Sequence, residues 1–277
     1  MQVYLNGEIL EKEKALISPF ERSFLFGDGV YEVIRYYPNK FFRADLHLER
    51  LQNSLNSVGI KYSNLDEIIP TFNKLMMLNN LIKEVSIGYV QISRGEHFPR
   101  RHFFDDEIKP TVFMYVEKSP AKFEEMQNGI KVGLEEDIRW MHCNIKATAL
   151  LSNILTRNSA IRKGLNEIIW HRNGIITEGT QTNIFIVKNE EVITPPLSNF
   201  ILPGVTRKIV LELCNQIGIK NSERNLNVNE LDTADEIFIT STTAEITPVV
   251  EISGTKIKNL EPGRISRILQ KEFSKLY

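Results

Sequence analysis

Short runs of alternating apolar and polar residues open the chain and predict β-strands. The first run, VYLNGEIL, is interrupted by Asn6-Gly7, a step typical of a type I′ hairpin turn. VYEVIRYY at 30–37 and FFRA at 41–44 predict a second pair of strands around a turn at 38–40. Because these strands pair with close neighbours in sequence, we expect an antiparallel sheet.

Helical spacing begins at Asp45 and predicts a helix that carries Arg50 and ends at Gly59. Its apolar positions are Leu48, Leu51, Leu55 and Val58. A second helix is predicted near 64–79, although Pro70 would remove one of its backbone hydrogen bonds. The segments VSIGYVQISR and PTVFMYV then predict two further strands.

The rest of the chain continues this mixture of strands and helices. A helix is predicted over 147–163 and is ended by Gly164. One face of it is expected to pack into the core, because apolar residues recur at helical spacing at Ala147, Leu150, Leu151, Ile154 and Leu155. A hairpin is predicted at Asn173-Gly174 and a helix over 206–217, among the strands NIFIVK, VITP and DEIFITS.

The polar segment EKSPAKFEEMQNG at 117–129 contains Pro120 and marks a predicted domain boundary. We therefore expect a smaller N-terminal α/β domain over 1–118 and a larger C-terminal domain over 119–277. The predicted fold class is α+β, with antiparallel or mixed sheets and helices packed on them.

The charges of the chain are balanced, since 34 lysines and arginines face 35 acidic residues. This leaves no positive field that would gather nucleic acid or an anionic membrane. No apolar run is long enough to span a bilayer and no signal peptide is evident, so a cytoplasmic protein is predicted. Cys143 and Cys214 are then expected to be reduced, and the five histidines show no spacing that indicates a metal site.

One lysine, Lys146, stands in the otherwise uncharged run CNIKATALLSN at 143–153. In one interpretation it extends to the surface at the junction of a strand and a helix. In the other it is a desolvated amine, which loses its proton more readily and can condense with a carbonyl to form a Schiff base. The lysine alone leaves both interpretations open.

The segment TEGTQTN at 177–183 lies between two predicted strands. It is either a solvated polar loop or a loop in which Glu178 faces a heterocyclic nitrogen. If that nitrogen belongs to pyridoxal phosphate, the carboxylate keeps the ring protonated and strengthens it as an electron sink.

A phosphate site is indicated by LPGVTR at 202–207, where a glycine turn enters a predicted helix whose first amides favour an anion. Ser241, Thr242 and Thr243, at the end of DEIFITS, add hydroxyl donors. Each feature is common by itself, and the glycines of Gly27-Asp28-Gly29 are too few for a dinucleotide-binding motif.

Six segments together strongly resemble the class IV, fold type IV, pyridoxal-phosphate aminotransferases. They are FGDGVYE (26–32), HLERL (47–51), EDIRWMHCNIK (136–146), TEGTQTNIF (177–185), ILPGVTR (201–207) and TSTTAEITPV (240–249). The resemblance spans nearly the whole chain in the family's order. The family includes D-amino-acid aminotransferases, branched-chain aminotransferases and aminodeoxychorismate lyases.

The resemblance implies a role for several residues. Lys146 would form the Schiff base with pyridoxal phosphate, Glu178 would pair with the pyridine nitrogen, and Leu202 would pack against the ring face. The residues implied to bind the cofactor phosphate are Arg50, Val205, Thr206, Ser241 and Thr242. In this interpretation 119–277 is the cofactor-binding domain.

The segment SRGEHFPRRHFF at 93–104 bears on the branch of the family. An arginine and a histidine two residues apart can converge on one carboxylate. The stretch is similar to one in D-amino-acid aminotransferases, which implies that Arg100, His102 and Tyr31 bind the substrate α-carboxylate. It also implies a homodimer in which Arg100 and His102 reach into the second subunit's site. Arg101 and His97 leave the register of this loop open.

We therefore predict a ping-pong transamination of D-amino acids of the D-alanine and D-glutamate type, with a 2-oxo acid as acceptor. Lys146, once released from the cofactor, would carry the α-proton. The alternatives are an L-branched-chain aminotransferase, an aminodeoxychorismate lyase and a non-enzymatic cofactor-binding protein. Intact Lys146, Glu178 and Arg50 argue against the last of these.

Overall fold

The computed structural model describes residues 1–105, 107–253, 255–256 and 261–277. The chain forms two compact units. The first comprises Met1–Pro120 together with Ile145–Leu150, and the second comprises Ala121–Asn144 together with Leu151–Tyr277. The expected division after residue 118 placed all of 119–277 in one domain, whereas the short segment that contains Lys146 lies in the first unit.

A six-stranded antiparallel sheet forms the centre of the first unit, in the order β2-β1-β6-β5-β3-β4. The strands are β1 (Gln2–Leu5), β2 (Glu8–Glu11), β3 (Gly29–Tyr37), β4 (Lys40–Phe41), β5 (Ser86–Ser93) and β6 (Thr111–Lys118). Both predicted hairpins are confirmed. Asn6 and Gly7 have the positive φ angles, 51° and 104°, that a type I′ turn requires.

Three α-helices of the first unit are α1 (Arg22–Phe26), α2 (Ala44–Val58) and α3 (Ile68–Leu78). The last two cover one face of the sheet and bury Leu51, Leu55, Phe72 and Leu75 in its core. Gly59 ends α2 with a φ of 67°, as predicted. Pro70 does not interrupt α3, because it lies in the first turn, where a backbone N–H has no partner within the helix.

The opposite face of this sheet carries a row of aromatic side chains. The ring centroids of Tyr31 and Tyr89 are 5.7 Å apart, and those of Tyr89 and Tyr115 are 5.0 Å apart. The alternation of side chains along β3 explains the division, since Val30 and Ile34 point into the core and Tyr31 points away from it. Tyr31 therefore lies on the aromatic face of the sheet, opposite to the face that packs against α2 and α3.

The second unit contains a mixed sheet in the order β12-β11-β10-β13-β14-β7-β8-β9, with β15 paired to β14. Its strands are β7 (Ile130–Glu136), β8 (Glu167–Arg172), β9 (Ile175–Gly179), β10 (Asn183–Lys188), β11 (Glu191–Thr194), β12 (Asn221–Glu223), β13 (Glu236–Ser241), β14 (Glu245–Ile252) and β15 (Thr255–Lys256). Its helices are α4 (Phe123–Asn128), α5 (Leu151–Arg162), α6 (Val205–Ile217) and α7 (Arg264–Ser274). The pairs β11–β12, β14–β7 and β7–β8 are parallel, and the others are antiparallel. The predicted α+β class with antiparallel and mixed sheets is confirmed.

The predicted helix over 147–163 begins only at Leu151. Ala147 instead forms an antiparallel bridge with Val30, which requires an extended backbone. The prediction that the apolar residues of this helix pack into the core is also wrong. Leu151, Ile154 and Leu155 are 70%, 54% and 61% exposed, whereas Thr156 and Ala160 form the buried face of α5.

Over the described residues, no helix combines the length and the apolar character that a bilayer span requires. Cys143 and Cys214 are both free and buried, and burial raises the pKa of each thiol to about 11. At neutral pH both are therefore protonated.

Candidate active site

Lys146 lies in an extended segment that is bonded to β3 and to α2. Its carbonyl accepts a hydrogen bond from the Tyr31 amide at 3.0 Å, and its own amide donates to Oγ of Ser54 at 3.2 Å. The side chain is half-buried, and Nζ lies 4.3 Å from the centroid of the Tyr31 ring. The amine is thus held against an aromatic ring, beside the residue predicted to bind the substrate carboxylate.

Arg50 is oriented by Glu32, a buried carboxylate that was not among the predicted site residues. Its Nε lies 2.6 Å from Oε1 of Glu32, and its Nη2 lies 2.9 Å from Oε2. Nδ1 of His47 lies 2.9 Å from the same Oε2. Burial alone would raise the pKa of Glu32, but the charge of Arg50 and the hydrogen bond with His47 hold that pKa well below its usual range. Burial lowers the pKa of His47, so at neutral pH the pair is an ionised Glu32 with Arg50.

The segment at 93–104 brings Arg100 and His102 to the same aromatic ring. The guanidinium of Arg100 lies 4.5 Å from the ring centroid of Phe26, and the imidazole of His102 lies 5.6 Å from it. Phe26 is the first residue of the FGDGVYE motif, three residues before β3 begins.

The two residues that left the register open have other neighbours. His97 bonds within its own loop, since Nε2 lies 3.2 Å from Oδ2 of Asp105 and Nδ1 lies 3.1 Å from the Pro99 carbonyl oxygen. Arg101 lies over the ring of Phe103, 5.3 Å from its centroid. Of the two arginines and two histidines considered for this role, Arg100 and His102 are therefore the pair that lies at Phe26.

In the second unit, Glu178 is a buried carboxylate with three donors. Oε1 accepts from Nη1 of Arg139 at 2.7 Å, and Oε2 accepts from the Leu202 amide at 2.9 Å and from Nδ2 of Asn183 at 3.2 Å. Burial raises the pKa of Glu178 to about 7, although Arg139 and the Leu202 amide both favour the ionised form. A further cation at this carboxylate would therefore shift it strongly toward ionisation.

Arg139 is itself fixed by Asp137, the residue directly after β7. Nε and Nη2 of the arginine lie 3.0 and 2.9 Å from the two oxygens of that carboxylate. Arg172 adds a second cation 3.2 Å from Asp137. These residues were not predicted as part of the site, although Asp137 and Arg139 belong to the EDIRWMHCNIK motif. The sequence does contain a pattern that could have indicated them: an aspartate and an arginine lie two residues apart in the same segment as Lys146.

Leu202 is tied to Glu178 by its backbone. Its amide donates to the carboxylate, and its carbonyl oxygen accepts from Nδ2 of Asn183 at 2.9 Å. Helix α6 starts three residues later at Val205, with Thr206 as its second residue, and no side chain caps its amides. A Cβ atom on Gly204 would overlap Oδ1 of Asn183, so this turn requires glycine. The first turn of α6 thus presents its amides close to the chain that holds Glu178.

Ser241 is the last residue of the strand β13, and Thr242 follows directly after it. Thr240 is paired with Asn183 in the register of β10 and β13, which places Ser241 and Thr242 just beyond Asn183. Oγ of Ser241 accepts from the Ala244 amide at 3.1 Å, so its O–H is available to donate. Oγ1 of Thr240 is buried and has no hydrogen-bond partner within the described ranges. The second unit therefore collects hydroxyl donors near its helix terminus.

Residues 29–252 match the family described as amino-transferase class IV. The chain therefore belongs to the class IV aminotransferases, a family of pyridoxal-phosphate-dependent enzymes. It is 35% identical to a D-alanine aminotransferase of Staphylococcus haemolyticus over 99% of this chain and 97% of that protein. It is 36% identical to a D-alanine aminotransferase of Bacillus licheniformis, over 98% of this chain and 95% of that protein.

Comparison of structures gives the same fold. The crystal structure of the branched-chain amino acid aminotransferase of Escherichia coli superposes with a TM-score of 0.92 and 27% identity, over 100% of this chain and 94% of that one. The fold is therefore that of the fold type IV aminotransferases.

Proposed function

We propose that this enzyme transfers the amino group of D-amino acids, of the D-alanine and D-glutamate type, to a 2-oxo acid with pyridoxal phosphate as cofactor. The observation that carries the proposal is the placement of Arg100 and His102 at one ring, Phe26, in a stretch similar to the carboxylate-binding loop of D-amino-acid aminotransferases. The 35% identity to a D-alanine aminotransferase supports the same branch.

The donor sets of the two units fit the chemical groups of pyridoxal phosphate. The second unit offers a buried carboxylate for the ring nitrogen, and it offers the amides of a helix N-terminus with free hydroxyls for the phosphate. The first unit offers one lysine amine held at a tyrosine ring. Because burial raises the pKa of Glu178 to about 7, this carboxylate is suited to a partner that brings its own positive charge.

Eight of the predicted residues would bind the cofactor. Lys146 would hold it through Nζ, Glu178 would pair with the ring nitrogen, and Leu202 would pack against the ring. The residues that bind the phosphate are Arg50, Val205, Thr206, Ser241 and Thr242. When bound, pyridoxal phosphate supplies an electron sink for the negative charge left on the substrate α-carbon after its proton is removed.

Lys146 is also the group that moves the proton. As a free amine, Nζ would act as the base that removes the α-proton of the substrate, and once protonated it would act as the acid that donates this proton back. Tyr31, Arg100 and His102 hold the substrate α-carboxylate, and this fixes which face of the α-carbon meets Nζ. The choice of enantiomer follows from that orientation.

An L-branched-chain aminotransferase remains the alternative, because the fold is shared with the Escherichia coli enzyme at a TM-score of 0.92. A shared fold does not choose between the branches. The arginine and histidine at Phe26 favour the D-amino-acid branch, since they supply donors for a carboxylate. Aminodeoxychorismate lyase activity has no separate support.

We also propose a homodimer in the cytoplasm, with Arg100 and His102 reaching into the second subunit's site. Both side chains are exposed. Each unit also exposes large apolar side chains, Phe24 and Phe98 at 72% and 71% in the first and Leu151 and Leu155 at 70% and 61% in the second. Apolar residues at this exposure favour coverage by another copy of the chain.

The test of the proposed function is a panel of D- and L-amino acids with pyruvate and 2-oxoglutarate as acceptors. We expect D-glutamate to form from D-alanine and 2-oxoglutarate. Turnover of L-valine, L-leucine and L-isoleucine alone would contradict the branch but leave the cofactor assignment intact. Borohydride reduction followed by peptide mass analysis tests the cofactor separately, and the mass increase is expected on the peptide that contains Lys146.

A further inference from the structure

The substrate loop, defined as residues 96–105, lies between β5 and β6 and contains neither a helix nor a strand. A long loop without regular structure has few bonds of its own to fix its shape. Its backbone oxygens must therefore be paired elsewhere or left to water. In this loop the side chains of Arg100 and His102 are exposed, so their direction depends on what holds the backbone beneath them.

One buried arginine, Arg22 of α1, donates to three successive carbonyl oxygens of the substrate loop. Its Nη1 lies 2.7 Å from the oxygen of Arg101 and 3.3 Å from that of Phe103, and its Nη2 lies 3.4 Å from that of His102. Arg22 is only 3% exposed. Its guanidinium also lies 4.9 Å from the centroid of Phe26, the ring that Arg100 and His102 contact.

The guanidinium is itself fixed by Asp28, at the centre of the Gly27-Asp28-Gly29 turn. Nε of Arg22 lies 2.8 Å from Oδ2 of Asp28. The same oxygen accepts from Nε of Arg94 at 2.8 Å, and Arg94 donates to the carbonyl oxygens of Val58 and Gly59 at the end of α2. Asp28 thus connects the substrate loop, through Arg22, to the end of the helix that carries Arg50.

We infer that Arg22 is a positioning residue that gives the substrate loop its shape and so orients Arg100 and His102 toward a carboxylate. This inference rests on the proposed function, because it assigns the loop to substrate binding. Arg22 does not contact substrate in this role. Because Arg22 and the loop belong to the same chain, the carboxylate-binding pair is ordered within one subunit before any second subunit is bound.

A lysine at position 22 would retain the charge but not this arrangement of bonds. The planar guanidinium directs Nε to Asp28 while its two other nitrogens reach the loop. A single ammonium nitrogen cannot lie within hydrogen-bond distance of all these oxygens. Arg22→Lys is therefore expected to release the loop backbone while keeping a cation beside Asp28.

The experiment compares Arg22→Lys with Arg267→Lys in the full-length enzyme with cofactor bound. Arg267 is a matched control, since it also donates to backbone oxygens, those of Met126 and Gln127, but lies in α7 of the second unit. For Arg22→Lys we expect KM for D-alanine and for 2-oxoglutarate to rise about 10- to 100-fold, with a smaller change in kcat. Cofactor absorbance and Tm should match those of Arg267→Lys.

A second measurement, the rate of tryptic cleavage, tests directly how firmly the substrate loop is held. Trypsin cleaves after Arg100 and Arg101, and the replacement of arginine by lysine adds no new cleavage site. We expect cleavage at these two positions to be about 10-fold faster in Arg22→Lys, since cleavage follows the population of the open loop. Asp28→Asn weakens the ion pair that holds Arg22 but leaves Arg22 itself in place. This variant should also have a higher KM and faster tryptic cleavage than the parent enzyme.

Equal KM values and equal cleavage rates for Arg22→Lys and Arg267→Lys would overturn the inference. So would a fall in kcat with KM unchanged, because a displaced carboxylate site must weaken substrate binding. Failure of the proposed function gives a different result. The unmodified enzyme would then turn over no D-amino acid, while the difference in tryptic cleavage between the two variants would persist.

Discussion

Arg139 and Glu178 form a buried salt bridge in which Nη1 of the arginine lies 2.7 Å from Oε1 of the carboxylate, with both side chains less than a tenth exposed. Among the described residues, the other hydrogen bonds to this carboxylate come from the amide N–H of Leu202 and the side chain of Asn183. Arg139 therefore places a positive charge against this buried carboxylate and favours its ionised form.

Replacing this arginine should harm both stability and cofactor affinity. Arg139→Met leaves Glu178 buried without its cation, which costs about 3–5 kcal/mol of unfolding free energy in the apoprotein. Urea unfolding measures this loss, and a titration with pyridoxal phosphate measures the affinity. Arg172→Met is the control, because it also removes a cation from Asp137 but leaves the bridge to Glu178 in place. Equal cofactor affinity in the two variants would contradict the role of Arg139.

The stability of the apoprotein should depend on pH through Glu178. Its pKa is raised from 4.5 to about 7 by burial, so the folded state binds the proton more tightly than the unfolded state. Its stabilising contribution is full below pH 4.5 and is lost as the pH rises through 7, by up to roughly 3 kcal/mol at 1.36 kcal/mol per pKa unit.

The measurement is the difference in unfolding free energy between the parent protein and Glu178→Gln at several pH values. The difference is needed because it cancels the contribution of His47. Burial lowers the pKa of His47, so below pH 6.5 this residue reduces the unfolding free energy as the pH falls. We expect the difference to change between pH 4.5 and 7 and to be constant above that range. A difference that does not vary with pH would show that Glu178 titrates normally.

Loss of the lysine amine should abolish turnover without unfolding the protein. In Lys146→Ala we expect activity to fall at least about 10²- to 10⁴-fold, as for the removal of a general base. The bonds that fix this segment to Tyr31 and Ser54 are made by the backbone of Lys146, so they survive the substitution. Lys163→Ala, which removes an exposed lysine paired with Glu135, is the control for both activity and borohydride labelling. Labelling that persists in Lys146→Ala would refute the assignment.

The exposed apolar residues of α5 should decide the oligomeric state. Leu155→Glu places a charge at a position that is 61% exposed in one chain, so it should cost that chain little stability. If a second copy covers α5, the variant sediments as a monomer and loses activity, while the parent protein sediments as a dimer. Phe123→Glu, at a residue 73% exposed on α4, is the control and should remain dimeric. A parent protein that sediments as a monomer would refute the homodimer.

Local signals in the sequence predicted local structure well. The turns at Asn6-Gly7 and Asn173-Gly174 were found because only a few residues tolerate positive φ angles, and the residues at both turns have them. The helix ended by Gly59 was found for the same reason. The placement of Leu202 beside Glu178 is consistent with the roles that the resemblance implied, although no sequence pattern joins the two residues.

Apolar spacing could not show what covers an apolar face. Leu151, Ile154 and Leu155 have the spacing of a core helix, yet they lie at the surface of the chain. Spacing identifies which side chains share one side of a helix, and the same pattern results whether that side packs within the subunit or against another one. The misplaced start of α5 had a different cause. Residues 147–150 have helical character, but backbone bonds to β3 hold Ala147 and Thr148 extended.

The buried partners of the site residues were also beyond the sequence. Glu32 was known only as the end of a motif, and its bond to Arg50 joins residues that are 18 positions apart. The bonds from Arg22 to the substrate loop join residues about four times further apart, up to 81 positions. Such pairs form because the sheet brings distant segments together. The spacing of apolar residues along the chain does not predict them.

The short segment Ile145–Leu150 belongs to the first unit, although the residues on both sides of it in sequence belong to the second. The chain therefore cannot be cut once to give two fragments that each contain one whole unit. A gene truncated after Pro120 would encode every strand of the six-stranded sheet but no Lys146. The complementary fragment would carry that lysine without β3, to which its backbone is bonded. Exchange of halves between related genes at this boundary would therefore separate Lys146 from the strand that positions it, so the two halves are expected to be inherited together.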